Sequence, residues 1–289
     1  MYKSLEEIAQ VSKQKNIPFW QVILEDDCKE RMVSPEQSKK ELMAMYQAMK
    51  EADAAYDAKQ KSRSGMVGGN GQLFHDAVVS GKTICGPVIA SAIEKALKMG
   101  ESNACMKRIV AAPTAGACGV LPAVLVNYQK EKGTADEQIV RALYTAAGIG
   151  QVVAARAYIA GASGGCQAEI GTASAMAAGA LTALGGGTPS QITHAAAMAL
   201  KNLLGLVCDP VGGLVEVPCV KRNVIGSVNA LSAADMALAG IISRIPPDQV
   251  INAMREVGDQ MHPSLRETGQ GGLANTPAAR EWCAAQEEE

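Results

Sequence analysis

Of the eight cysteines in this 289-residue chain, three sit where glycine and proline shape the backbone. Cys166 lies in Gly161-Ala-Ser-Gly-Gly-Cys-Gln, a turn that precedes a helical pattern. Its thiolate stands near a helix N-terminus, where the dipole and free N–H groups lower a thiol pKa. Cys208 and Cys219 bracket a second irregular segment, Cys208-Asp-Pro-Val-Gly-Gly-Leu-Val-Glu-Val-Pro-Cys219. Three soft ligands on three loop edges suit an iron–sulfur cubane that leaves one iron without a protein ligand. The opposing reading is that a free cysteine is a small buried hydrophobe. Cys28, Cys85 and Cys105 fit that description, in or beside helical stretches, and pattern alone leaves both readings open for the other three. No Cys-x-x-Cys and no His-x-x-x-His occurs, so zinc-ribbon and zinc-finger sites fail on spacing. The ferredoxin-type cysteine run is also absent.

Other residues are candidates to line a site. Ser163, Gly164 and Gly165 offer a hydroxyl and backbone N–H groups, an anion nest for a carboxylate, or else a turn whose glycines serve geometry alone. Thr114 and Gly116, in the loop ahead of another helix, offer the same groups, and Cys118 is a site-lining candidate there. Of the histidines, His75 follows the Gly68–Gly71 loop and is the weak candidate for a base. His194 reads as a core histidine of an Ala-rich helix, and His262 as a helix-end residue. Lys221 and Arg222 are the nearest cations after Cys219 and read as a solvated pair. The Gly-rich stretch 266–273 reads as a lid, and Cys283 as a free surface thiol.

The elements that must position these residues are helical. Residues 4–58 carry two or three amphipathic helices, opened by a Ser4/Glu7 capping box and by Ser34-Pro35-Glu36. Composition shifts near residue 60, which divides the chain into an N-terminal helical region, 1–60, and a helical catalytic, cluster-binding domain, 61–289. Further helices are predicted at about 84–99, 119–132, 136–159, 167–184, 189–204, 220–241 and 247–260. Thr188-Pro189-Ser190-Gln191 is a helix start with cap, proline and capping-box glutamine. The one strand-like run, Leu214–Val217, is short and ends on Pro218. The fold class is therefore all-α, with long Gly-rich loops forming the site. Two phenylalanines, two tryptophans and 29 glycines require a core of small residues in close helix contact. The only low-complexity stretch is the closing Glu287–Glu289.

A formal net charge of −2 leaves no basic footprint for nucleic acid. The apolar stretch 157–200 is broken repeatedly by Gly, Ser and Thr, so it reads as protein interior and not as a membrane span. The first residues lack the apolar segment of a secretory signal, and a cytoplasmic location is expected, with the cysteines reduced.

Four long motifs carry a family resemblance. They are Pro113-Thr-Ala-Gly-Ala-Cys-Gly-Val-Leu-Pro122, Ser163-Gly-Gly-Cys-Gln-Ala-Glu-Ile-Gly171, the Cys208–Cys219 segment, and Glu267-Thr-Gly-Gln-Gly-Gly-Leu-Ala-Asn-Thr-Pro277. Together they resemble the alpha chain of iron–sulfur-dependent L-serine dehydratase. The resemblance implies that Cys166, Cys208 and Cys219 ligate a 4Fe-4S cluster, with the fourth iron left for L-serine. It implies a lyase of serine catabolism that yields pyruvate and ammonia, with pyruvate available to gluconeogenesis and no pyridoxal phosphate required. The chain lacks the Ser-Ser-His-Thr motif of the family's beta region, so a separate beta chain, which would supply the base, and an oligomeric enzyme are expected. Within the same chemistry a cysteine desulfidase is the rival, and a non-catalytic iron–sulfur redox or sensor subunit is a further alternative.

Overall fold

The computed structural model describes residues 1–287; Glu288 and Glu289 of the acidic run lie outside the described residues. Among the described residues thirteen α-helices follow in order: α1 Leu5–Lys15, α2 Phe19–Arg31, α3 Pro35–Ala54, α4 Asn70–Val79, α5 Pro87–Ala104, α6 Val120–Lys132, α7 Asp136–Arg156, α8 Gly161–Gly164, α9 Thr172–Leu184, α10 Pro189–Lys201, α11 Cys219–Leu238, α12 Pro247–Gln260 and α13 Pro277–Glu287. A π-turn, Gln167–Gly171, joins Cys166 to α9. Among the described residues there is no strand; Leu214–Val217 is a bend and turn, and the one backbone bridge pairs Cys208 with Arg266. No described helix is long and apolar enough to cross a membrane.

The middle of the molecule is α9, whose residues Thr172–Thr182 are all buried. It is surrounded by α6, α7, α10 and α11. A helix buried on every side can have no polar face, and α9 is accordingly built of Ala, Gly, Thr, Ser, Met and Leu. Ala173, Ala177, Ala178 and Ala180 let neighbouring backbones approach closely, and larger side chains such as Ile149, Ile170 and Leu200 fill the space between. Each such buried aliphatic side chain contributes about 1.5–3 kcal/mol of transfer free energy. Leu5, Ile8, Phe19, Val22 and Tyr46 of α1–α3 belong to the same buried cluster. Polar contacts reinforce this packing, with the Tyr46 hydroxyl donating to Gln129 and Lys50 paired with Asp136.

Helix starts follow the local chemistry. Thr188 accepts from the Gln191 N–H while Gln191 accepts from the Thr188 N–H, the reciprocal box expected of that sequence. Ser34 caps α3 ahead of Pro35. At Ser4 only half of the box forms: its hydroxyl caps Glu7 N–H and donates to Asp248, tying α1 to α12. Three helices escaped the sequence reading, α4, the four-residue α8 and α13. The start of α4 lies inside the Gly68–Gly71 stretch, and its first N–H groups are bound by Glu101 of α5.

Candidate functional site

The three cysteines come from three segments that converge. Cys166 follows α8 after Gly165, whose φ of +78° turns the chain where a side chain would strike Met261 and the Leu206 carbonyl. Cys208 lies in the α10–α11 connection, and Cys219 is the first residue of α11. All three are buried, at 1, 3 and 6% exposure, so none is an ordinary surface thiol. The nearness of Cys208, with the Arg222 charge, holds the Cys166 pKa below the usual thiol value against the cost of burial. That contact and burial push Cys208 far upward. Burial, reinforced by the Cys166 charge, pushes Cys219 up to about 12.

Around the sulfurs stands a polar frame. Arg222 donates to the Cys166 sulfur at 3.3 Å, to the Val207 carbonyl at 2.7 Å and to Asp209 at 2.8 Å. Asn223, 1% exposed, accepts from Gly119 N–H at 2.8 Å and donates to the carbonyls of Gly116 and Cys219. It thereby fastens the 113–119 segment to the helix that Cys219 opens. Glu169, in the π-turn, accepts from the Thr114 hydroxyl and lies 4.0 Å from the Cys166 sulfur. Burial raises its carboxyl pKa. Gly116 is glycine for want of space, since a Cβ there would stand 2.6 Å from a Glu169 oxygen.

The tail closes the frame. Cys208 N–H donates to the Leu265 carbonyl and Glu267 N–H donates to the Cys208 carbonyl, at 2.8 and 2.7 Å. Leu273 N–H donates to Asp209. The stretch read as a lid is thus fastened directly to the second cysteine. Trp282 and the half-buried Cys283 of α13 stand against Gly212, in the loop between Cys208 and Cys219.

The softer candidates separate. Ser163 is exposed, but the N–H groups of Ser163 and Gly164 both bind the Ala160 carbonyl and that of Gly165 binds Gly161. The nest expected of these three N–H groups is therefore spent within one helical turn, and the Ser163 hydroxyl is what this stretch presents outward. Thr114 and Gly116 border Glu169 as described. His75 lies on α4 and pairs with Glu94 of α5 at 3.1 Å. His194 lines a groove of about 980 Å³ between α1 and the start of α10 whose lining includes none of the three cysteines. His262 accepts from Ser264 N–H at a 3-10 turn. Cys118 is fully buried, its sulfur 3.8 Å from the Met99 carbonyl, and burial pushes its pKa up to about 12. The reading of Lys221 and Arg222 as a solvated pair is corrected: Lys221 is exposed, but Arg222 turns inward to the cysteines.

Sequence reasoning missed Glu169, Asp209, Asn223 and Glu216. Each lies in or directly beside a cysteine motif, and that adjacency was the available signal. Glu216 is 6% exposed and accepts from Ser62 and Ser64, which anchors the Gly-rich connector to the cysteine loop.

Among the described residues no group of three His, Cys, Asp or Glu side chains is arranged to hold a single metal ion. One tetrahedral ion needs its ligands aimed at one point. A cubane is gripped at separate corners, so its thiolates must stand around a volume. Three buried soft donors on separate segments, with a guanidinium at hand to offset their charge, match the second requirement in chemistry.

The sequence model of the family described as "Serine dehydratase alpha chain" matches residues 14–274. A relative from Bacillus subtilis, named probable L-serine dehydratase, alpha chain, is 46% identical over 97% of this chain and 94% of its own length. One from Peptoniphilus asaccharolyticus, named L-serine dehydratase, alpha chain, is 42% identical over 96% of this chain and 95% of its own length. An Escherichia coli protein named L-serine dehydratase TdcG is 47% identical over 62% of this chain, which is 40% of that protein.

Proposed function

The chain belongs to the serine dehydratase alpha chain family, and from that premise we propose that it is the cluster-bearing chain of an L-serine dehydratase. The observation that carries the proposal is the burial of Cys166, Cys208 and Cys219 on three segments gathered by one guanidinium. These cysteines would hold a 4Fe-4S cluster. Such a cluster, with one iron free of protein ligands, supplies Lewis-acid polarisation of the serine β-hydroxyl, otherwise a poor leaving group.

The chain's own residues do the rest of the positioning. Burial of the cysteines keeps bulk water from them, and the tail fastened at Cys208 and Asp209 closes one side. The exposed Ser163 hydroxyl, two residues before the turn at Gly165, is the group offered to the substrate carboxylate, and Thr114 is bonded to Glu169, three residues after Cys166. Removal of the α-proton and departure of the β-hydroxyl as water give aminoacrylate. Tautomerisation and hydrolysis return that water and release pyruvate and ammonia. No lysine Schiff base enters this route, so pyridoxal phosphate is not needed.

A separate beta chain would supply the general base. The support is that named alpha chains match along nearly their whole length, whereas the longer Escherichia coli protein matches over 40%. The reading also includes a cytoplasmic setting, where eight free thiols stay reduced.

The test is anaerobic purification with the beta chain, then iron and sulfide analysis and turnover of serine, threonine and cysteine. Iron-loaded protein that deaminates serine is the expected result. Turnover of cysteine with none of serine would replace the reading by a desulfidase. Iron retained undiminished in Cys166→Ala, Cys208→Ala and Cys219→Ala alike would remove the ligand assignment.

A further inference from the structure

We propose that Arg222 is a positioning residue of the cluster site, one that sets the charge and spacing of the three thiolates. The inference rests on the cluster reading above and deepens it. Arg222 lies on α11, the helix that Cys219 opens, and its side chain is 13% exposed. From there its guanidinium reaches the sulfur of Cys166 and the residues on either side of Cys208, the Val207 carbonyl and the Asp209 carboxylate. One side chain thus joins all three cysteine segments.

Two features make this more than a buried ion pair. Asp209, 3% exposed, is itself held by Leu273 N–H through its other oxygen, so it fixes the plane of the guanidinium it binds. Three of the five guanidinium N–H groups are also committed to the cysteine segments, the two of one terminal nitrogen to sulfur and carbonyl and one of the other to the carboxylate. Arginine keeps its charge at any working pH and presents donors in a rigid fork. A lysine is a point charge and cannot reach a sulfur, a carbonyl and a carboxylate in that geometry.

The consequence concerns the metal site before it concerns turnover. An N–H donated to a cluster thiolate, together with a positive charge, stabilises the more negative, reduced state. Loss of the donated N–H, of the charge or of both therefore lowers the midpoint potential and weakens retention of iron. Outer-shell partners of this kind are worth about ten- to a hundredfold in metal affinity.

Full-length wild type, Arg222→Lys and Arg222→Met, each with the beta chain, would be prepared anaerobically. The readouts are iron and sulfide per chain, the paramagnetic spectrum of the reduced cluster, its midpoint potential and the rate of iron loss in air. The expected result is iron in the wild type, an altered spectrum and a lower potential in Arg222→Lys, and iron loss about tenfold faster or more in both variants. Arg222→Lys keeps the proposal open to refutation if Arg222→Met does not fold. Iron-loaded variants with wild-type spectrum, potential and decay rate would overturn the proposal while leaving the cluster reading intact. A wild type without iron and sulfide would overturn the cluster reading, and this inference with it.

Discussion

The Ser62 hydroxyl donates to a Glu216 carboxylate oxygen at 2.8 Å, joining the Gly-rich connector after α3 to the loop between Cys208 and Cys219. Ser64 donates to the same oxygen. A carboxylate that is 6% exposed depends on such donors, because its lost hydration must be replaced. Glu216→Ala removes the acceptor from both hydroxyls and is expected to cost about 2–3 kcal/mol, the scale of charge-assisted hydrogen bonds in buried surroundings. Glu216→Gln should recover part of that loss. Urea unfolding of the metal-free protein measures both, and equal midpoints for all three proteins would show the contact to be inert.

Asn223 offers a second test of the frame. Its side chain satisfies Gly119 N–H and two carbonyls while nearly inaccessible itself. Asn223→Ala strands those groups in the interior and is expected to destabilise the fold by about 2–4 kcal/mol. Asn223→Asp keeps the acceptor for Gly119 but sets a carboxylate against the Gly116 and Cys219 carbonyls, so it should rescue little. Unfolding midpoints of the three proteins distinguish these outcomes.

How much of this was legible in the sequence depended on how local each cause is. The α10 start was legible at Thr188–Gln191 because cap and partner are three residues apart. The start of α4 was not, because Gly69 caps it without a side chain and Glu101, thirty residues on, binds its first N–H groups. The loop setting of the cysteines was visible, but their convergence depends on helix packing, and the family resemblance carried that step. Arg222 shows the limit most plainly. One residue of rotation on a helix separates it from exposed Lys221, and nothing in the sequence says which of the two faces Cys166.

His194 predicts a pH dependence of stability. Burial lowers its pKa, while Glu6 opposes the shift and Lys201 adds to it. Its Nδ1 is buried without a hydrogen-bond partner among the described residues. A folded-state pKa below the unfolded value means that the unfolded chain binds more protons through that window. The histidine's contribution is therefore full above about pH 6.5, the unfolded value, and is lost as pH falls through the folded pKa. His194→Gln should flatten the fall in unfolding midpoint between about pH 7 and 5 relative to wild type. Parallel pH profiles for the two proteins would refute this.

Gly116 and Ser163 separate shape from binding at the site. A methyl group at residue 116 would lie 2.6 Å from Glu169 Oε1, and that carboxylate is already held by Thr114. Gly116→Ala must displace the carboxylate or the backbone, a strain of about 1–3 kcal/mol that should lower both thermal stability and kcat. Ser163 is exposed, and its backbone N–H is already bonded to Ala160, so Ser163→Ala should leave the fold untouched. If its hydroxyl holds the substrate carboxylate, the loss appears as a KM raised about tenfold with kcat little changed, the signature of binding shared by ground and transition states. Steady-state kinetics on serine beside a melting curve for each variant make the comparison. A Ser163→Ala enzyme with unchanged KM would remove that hydroxyl from the substrate site, whereas lowered stability in Gly116→Ala alone would still mark the Glu169 contact as a matter of packing.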